Sequence, residues 1–291
     1  MSALRDLAEL VRAPAALSVP GDAVAGAASC GVLGPATAGL SASAVCLYWA
    51  GMAANDWADR DLDAKERPER PIPSGRVSPT TALGVAAGLC AAGLALAGLA
   101  GGPRALAVAV PLAGAVWAYD LRFKGTPAGP AAMAACRGLD VLLGATSRPG
   151  RWWPAVLPAL TVAAHTYGVT ALSRREVTGG GRLLPAATLA GTAGVAYAAA
   201  RIPAAGPATA PRTWLPRGLA GWYAAAYGAP QAGALATPDA GRTRAAVGAG
   251  ITGLPALQGA LVARSAGLLP AAAVAACAPL GRALARRVSP T

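Results

Sequence analysis

Long apolar runs separated by short charged clusters recur along this chain from one end to the other. A helix that crosses the hydrocarbon core of a bilayer takes roughly 17 to 25 apolar residues. Dividing the chain at its charged clusters gives ten apolar segments: Ala13 to Leu33, Pro35 to Trp57, Thr80 to Gly101, Ala105 to Tyr119, Thr126 to Ala145, Trp153 to Leu172, Leu183 to Ala200, Trp214 to Ala236, Ala245 to Ala263 and Gly267 to Leu284. The pattern predicts an all-α fold, a multi-pass transmembrane helical bundle filling residues 1–291 as a single domain. Pro20, Pro111, Pro158 and Pro255 fall inside segments. Membrane helices tolerate such prolines as kinks, because neighbouring groups satisfy the freed carbonyl.

Composition supports this reading. Only 13% of residues are charged, against about 25% in soluble domains. Apolar residues make up 55%, and 37 glycines give neighbouring helices room to approach closely in lipid. The glycines follow no fixed period, which excludes a collagen-like chain. A net charge of +12 suggests nucleic acid at first sight. The basic residues, however, sit in short clusters between apolar runs and are not interleaved with aromatics, so no nucleic-acid partner is expected.

With the N-terminus in the cytoplasm and every segment spanning, the basic residues divide 17 to 7 in favour of the cytoplasmic side, Arg137 being left inside a segment. That is the positive-inside asymmetry. It places the charged loops after the second, fourth and sixth segments together on one side. Arginine far outnumbers lysine in a chain rich in Ala, Gly and Pro, the usage of a GC-rich bacterial genome. The expected location is therefore a bacterial cytoplasmic membrane, with the active site towards the cytoplasm. Cys30, Cys46, Cys90, Cys136 and Cys277 form no CxxC pair and lie in apolar runs, which argues against a disulfide framework or a zinc site.

The second segment ends in Asn55-Asp56-Trp57-Ala58-Asp59-Arg60-Asp61-Leu62-Asp63. At about 100° per residue, Asp56, Asp59 and Asp63 share one helix face and Asp61 falls off it. Carboxylates gathered at a membrane edge repel one another and are costly there. A divalent cation relieves that repulsion, and oxygen-only ligands select Mg²⁺ or a similar hard ion. The competing reading is a solvated helix end, with acids alternating with Arg60.

The run N-D-x-x-D-x-x-x-D, followed by Arg70-Pro71-Ile72-Pro73-Ser74-Gly75, resembles the signature of the UbiA superfamily of membrane prenyltransferases. Within it the likeness is closest to the EboC-like branch, associated with cyclitol-related gene clusters. The family usually has nine helices, so nine or ten are expected here. The resemblance implies an isoprenoid diphosphate donor, a small-molecule acceptor that is cyclitol-like or aromatic, and Mg²⁺ held on the diphosphate by Asn55, Asp56, Asp59 and Asp63. It also places Tyr119 and Lys124 beside the diphosphate, with Arg122 and Arg70 as further phosphate ligands.

The family's second aspartate-rich motif, expected after the sixth segment, is replaced by Ser173-Arg174-Arg175-Glu176. Either one metal suffices, with Glu176 as a possible further ligand, or Arg174 and Arg175 supply the missing positive charge, since arginine binds phosphate bidentately.

Arg137 and Asp140 lie inside the fifth segment at a spacing that lets them pair on one face. Ionisable groups there mark a substrate pocket by default. His165, the single histidine, has no neighbouring base or nucleophile and reads as a helix contact. The activity implied is electrophilic prenyl transfer. Cyclisation of the same diphosphate and phosphoribosyl transfer to a polyprenyl phosphate are enzymatic rivals. A cation-coupled transporter is the non-enzymatic one.

Overall fold

A computed structural model describes residues 3–201 and 214–288, and no β-strand occurs among them. Arg212, counted above on the less basic side, lies outside the described residues. The helices are α1 (Ala3–Leu10), α2 (Pro20–Ser29), α3 (Pro35–Ala58), α4 (Arg60–Glu66), α5 (Pro79–Ala118), α6 (Gly129–Ala145), α7 (Val156–Ser173), α8 (Leu183–Arg201), α9 (Trp214–Ala236), α10 (Ala240–Ala266) and α11 (Leu268–Val288). Among the described residues, five helical stretches are long and apolar enough to cross a membrane, namely α3, α5 with the turn after it, α7 with the turn before it, α8 and α10.

Two sequence expectations need correction. The first apolar segment does not form one spanning helix. Residues Ala13–Ser18 form a 3-10 turn after Arg12, whose φ of 48° turns the chain, and only Pro20–Ser29 continue as α-helix. Ten residues reach about 15 Å, half of the roughly 30 Å hydrocarbon core. Pro20 starts this short helix, since it needs no amide partner there.

The third and fourth segments are joined as α5 without a loop. At Gly102, φ is 66° and ψ is −155°, a conformation closed to residues with a Cβ, and the chain reverses there. The neighbours of α3 show the reversal. A Cβ on Gly39 would meet Ala100, one on Gly93 would meet Leu47 and Ser43, and one on Gly51 would meet Val116. The first arm of α5 thus runs antiparallel to α3 and the second arm parallel to it. Arg104, expected to separate two segments, lies just past this turn.

Glycine sets how closely the short α2 packs on α6. A Cβ on Gly26 would lie 1.8 Å from the Val141 carbonyl oxygen, and one on Gly144 would lie 1.9 Å from the Ala23 carbonyl oxygen. In lipid, where no hydrophobic force drives helices together, such close backbone contact holds the pair. α10 runs through the middle of the bundle, with Gly253 to Ala263 buried continuously.

Outside the spans, α1 is fastened over the loop that follows α4. Arg76 donates to both carboxylate oxygens of Glu9 at 2.8 Å, to Asp6 at 2.7 Å and to the Glu69 carbonyl at 2.7 Å. Beneath this clasp Leu10, Ile72 and Val77 pack against Ala53, Ala54, Ala82 and Ala86.

Two predictions follow from this packing. Gly144→Ala and Gly26→Ala each force two backbones apart and are expected to destabilise the protein by about 1–3 kcal/mol. Gly84→Ala, on an open helix face with nothing near its Cβ, is expected to be neutral or stabilising. Thermal unfolding in detergent compares the three.

The second concerns acid. The Arg76 hydrogen bond lowers the Glu9 pKa from its ordinary value of 4.5. The contribution of the clasp is therefore complete above that value and is lost as pH falls through the lower folded pKa. Protection of α1 and of residues 69–77 from hydrogen exchange, corrected for the intrinsic rate at each pH, is expected to fall between pH 7 and pH 3, and Glu9→Gln is expected to reduce that pH dependence.

Candidate active site

α3 carries Asn55 and Asp56 to one end of the bundle, where the helix breaks at Asp59 and resumes as α4. The break is slight. Asp59 N still donates to Asn55 O at 2.9 Å and Asp63 N to Asp59 O at 2.8 Å, so the helical register continues across it. Asp56 and Asp63 face inward, 4% and 2% exposed, whereas the Asp61 side chain is 90% exposed. Arg60 turns outward with Asp61, stacking on Trp57 and donating to its carbonyl.

Each inward acid meets a cation from a different part of the chain. The turns after α4 fold Arg70 back so that its Nη1 lies 2.6 Å from Asp63 and 3.3 Å from Asp56. Arg12, positioned by its left-handed backbone, reaches Asp56 at 2.8 Å. Arg67 lies 3.9 Å from Asp63, and Lys124 Nζ is 2.5 Å from Asp59.

Lys124 follows a π-helical turn, Tyr119–Phe123, at the end of α5. Wide turns of this kind often mark functional sites. The same turn buries Asp120, which accepts from Asn55 Nδ2 at 3.1 Å. Four carboxylates (Asp56, Asp59, Asp63, Asp120) thus face four cations (Arg12, Arg67, Arg70, Lys124).

The structure therefore gathers Asn55, Asp56, Asp59, Asp63, Arg70 and Lys124 at one place, with Tyr119 at its inner edge. Arg174 stands nearby and donates to the Thr126 carbonyl. Arg122 is exposed on the π turn. Arg175 instead packs on Gly180 and lines a separate cavity with Leu172, Pro238 and Thr243. Among the described residues, no ion pair links Glu176 to the acidic cluster; its carbonyl accepts from Arg244.

Two groups in this site were missed by sequence reasoning. Arg12 is one of the 17 basic residues assigned above to the cytoplasmic side, and nothing in its spacing marks it as more than an orienting charge, although it sits directly before the first apolar run. Asp120 was passed over, although an acid between Tyr119 and Lys124 at a segment end was a visible signal.

No three acidic, histidine or cysteine side chains among the described residues converge as a ready metal set. The donors still suit a hard cation, since all are oxygens and three share one helical face. Asp56, Asp59 and Asp63 each hold a basic partner that is itself a phosphate ligand by type. A divalent cation on the acids and a phosphate group on the released guanidinium and ammonium groups would preserve the charge balance.

Below the cluster lies a narrow cleft of about 70 Å³ between α3, the second arm of α5 and α6. Tyr119 and Asp120 border its mouth, Leu47, Met52, Leu112, Val116 and Met133 form apolar walls, and Arg137 and Asp140 close the far end. The expected Arg137–Asp140 pair does not form. Arg137 Nε pairs with Asp22 of α2 at 2.9 Å, because the close α2–α6 contact brings that carboxylate nearer than one on its own helix. His165 is buried between Tyr223 and Tyr227 and shares a 2.8 Å hydrogen bond with the Tyr223 hydroxyl, tying α7 to α9.

Residues 17–239 match the UbiA prenyltransferase family. A digeranylgeranylglyceryl phosphate synthase of Ignicoccus hospitalis is 42% identical over 123 residues, 42% of this chain and 40% of the relative. The chain thus spans about two fifths of the length of that curated relative.

Among solved structures, one concerned with digeranylgeranylglyceryl phosphate synthase in membranes superposes with a TM-score of 0.67 at 17% identity, covering 92% of this chain and all of the other. The apo structure of a UbiA homologue from Aeropyrum pernix K1 gives 0.64 at 19% identity, covering 85% and 96%. These two likenesses establish the helical architecture. Together with the family match over most of the sequence, they lead to one assignment: the chain belongs to the UbiA prenyltransferase family.

Proposed function

We propose that this protein transfers a prenyl group from an isoprenoid diphosphate to a small acceptor within the membrane, with Mg²⁺ as cofactor. The observation that carries this reading is the balanced cluster of four acids and four cations directly above an apolar cleft. A prenyl diphosphate has the matching form, an anionic head and an apolar tail. Relatives named as digeranylgeranylglyceryl phosphate synthases support transfer of an isoprenoid.

Asp56, Asp59 and Asp63, with Asn55, would hold Mg²⁺, which when bound supplies positive charge to the departing diphosphate. Arg12, Arg70 and Lys124 exchange their carboxylate partners for phosphate oxygens and stabilise the same developing charge. Asn55 and Asp120 hold the end of α3 against the π turn and so fix the spacing of the two halves of the site. The apolar walls receive the allylic carbon end of the donor and keep water from the cation that forms when the diphosphate leaves. The acceptor then attacks that carbon, and its proton passes to a carboxylate or to water. The site faces the cytoplasm of a bacterial cell.

Binding of geranylgeranyl thiodiphosphate to purified protein tests the site. Asp56→Ala, Asp59→Ala and Asp63→Ala are each expected to weaken Mg²⁺-dependent binding by about tenfold or more, and Asp61→Ala to leave it nearly unchanged. Arg12→Ala is expected to cost roughly tenfold, the value of one charge-assisted hydrogen bond. Equal losses at Asp59 and Asp61 would show that the inward face does not define the site.

Orientation has its own test. Ser74 is exposed in the loop beside the cluster. In a cysteine-free background Ser74→Cys is expected to resist a membrane-impermeant thiol reagent in intact cells and to react after permeabilisation. Rapid labelling of intact cells would place the site on the outer side.

A further inference from the structure

The far end of the cleft holds a carboxyl group that the proposed chemistry leaves unused. Asp140 is 6% exposed, and its Oδ1 is fully buried without a hydrogen-bond partner. The nearest cation is already committed. Arg137 pairs with Asp22 and donates to the Ser18 carbonyl at 3.1 Å. Gln258 Nε2 supports the same pair, donating to Asp22 Oδ1 at 2.6 Å and to Ser18 O at 2.7 Å. A buried polar atom without a partner costs about 1–3 kcal/mol, and in the apolar interior of a membrane bundle it calls for a donor.

Position narrows what that donor is. Asp140 lies seven residues beyond Met133 on α6, and both line the cleft, so the carboxyl sits about 10 Å below the mouth. The allylic carbon of a diphosphate bound at the cluster stays near Tyr119 and Asp120. A molecule between that carbon and Asp140 must be compact, with its reacting atom towards the mouth.

Charge narrows it further. Asp22 and Asp140 are two carboxyl groups against one guanidinium, which disfavours a carboxylate or phosphate at this depth. A neutral hydroxyl suits either protonation state of Asp140, donating to the carboxylate or exchanging hydrogen bonds with the acid.

We propose that Asp140 is the acceptor-positioning residue of this enzyme, receiving a hydrogen bond from an uncharged hydroxyl on the acceptor at the floor of the cleft. The proposal rests on the prenyl-transfer reading for the identity of the molecule above it. It deepens that reading by assigning the acceptor's chemical class, a compact apolar body with a neutral hydroxyl remote from the reacting atom.

Ligand-induced thermal stabilisation of the purified full chain tests it, with 4-butylphenol, its methyl ether 4-butylanisole and 4-butylbenzoate as probes. Uptake into detergent is the same for every variant, so comparison between variants cancels it. The half-saturating concentration of 4-butylphenol is expected to rise about tenfold in Asp140→Ala, the equivalent of one buried hydrogen bond. That of 4-butylanisole is expected to stay the same in both proteins. Asp140→Asn keeps a carbonyl acceptor and is expected to retain most of the preference for the phenol. 4-Butylbenzoate is expected to stabilise neither protein.

Equal half-saturation by phenol and ether in the wild type overturns the proposal. So does a phenol response unchanged in Asp140→Ala, a wild type that shows no saturable response to the phenol, or a benzoate response as strong as the phenol's. Mg²⁺-dependent binding of geranylgeranyl thiodiphosphate is measured on the same samples and is expected to be unchanged in Asp140→Ala. Loss of that binding in the wild type would refute the donor site and leave the hydroxyl subsite standing.

Discussion

Charge placed beside lipid has to be neutralised within the protein, and the Arg70 bridge between Asp56 and Asp63 is where this chain meets that constraint. Water solvates these groups poorly, because both acids are almost wholly buried. Lone carboxylates there would be expensive. Arg70 spans the break between α3 and α4, so one guanidinium fixes the end of a spanning helix and the path of the loop after it. Arg76 holds α1 to that loop, and Arg12 follows α1, so the acid cluster ties α1, the end of α3 and the loop after α4 together. The same pairing makes the cluster responsive: ligands of opposite charge can replace each partner without leaving net charge behind.

Deeper in the bundle the constraint is met differently. α2 covers only part of the membrane thickness, and it belongs to the fold because Gly26 and Gly144 bring its backbone onto α6. That contact places Asp22 against Arg137 and leaves Gln258 of α10 to complete the pair. A short helix, two glycines and three polar side chains therefore lock α2, α6 and α10 together. Asp140, on the same helix as Arg137, is left facing the cleft, which shows that the polar floor follows from the helix packing above it.

Several features of this arrangement were legible in the sequence because they depend on local spacing. Apolar run lengths marked most of the helices, of which five stretches among the described residues are long and apolar enough to span, and the three-and-four spacing of Asp56, Asp59 and Asp63 put them on one face with Asp61 outside it. What was not legible depends on contacts between distant parts of the chain. The reversal at Gly102 hides in a run of small apolar residues, where one glycine among many carries no distinguishing signal. The partner of Arg137 was misread because helical spacing favours Asp140, while the decisive fact, the closeness of α2, is set by glycines on two helices. Arg12 looked like one orienting charge among many until the 3-10 turn after it directed the side chain back to Asp56.

The cleft joins these two polar regions and gives each a different task. Its mouth carries as many cations as acids and can exchange partners, which suits a charged group that must bind and later leave. Its floor carries a single guanidinium that is already paired, a poor host for an anion. The walls between them are mostly aliphatic side chains and methionines, with Tyr48 and Cys136 as their few polar atoms and no charge to hold an anion midway. A substrate with charge at one end therefore has one favourable direction of entry, headgroup at the mouth. A second molecule beneath it must be uncharged where it meets the floor. Direction and order of loading thus follow from the placement of charge along about 10 Å of helix, without any moving part.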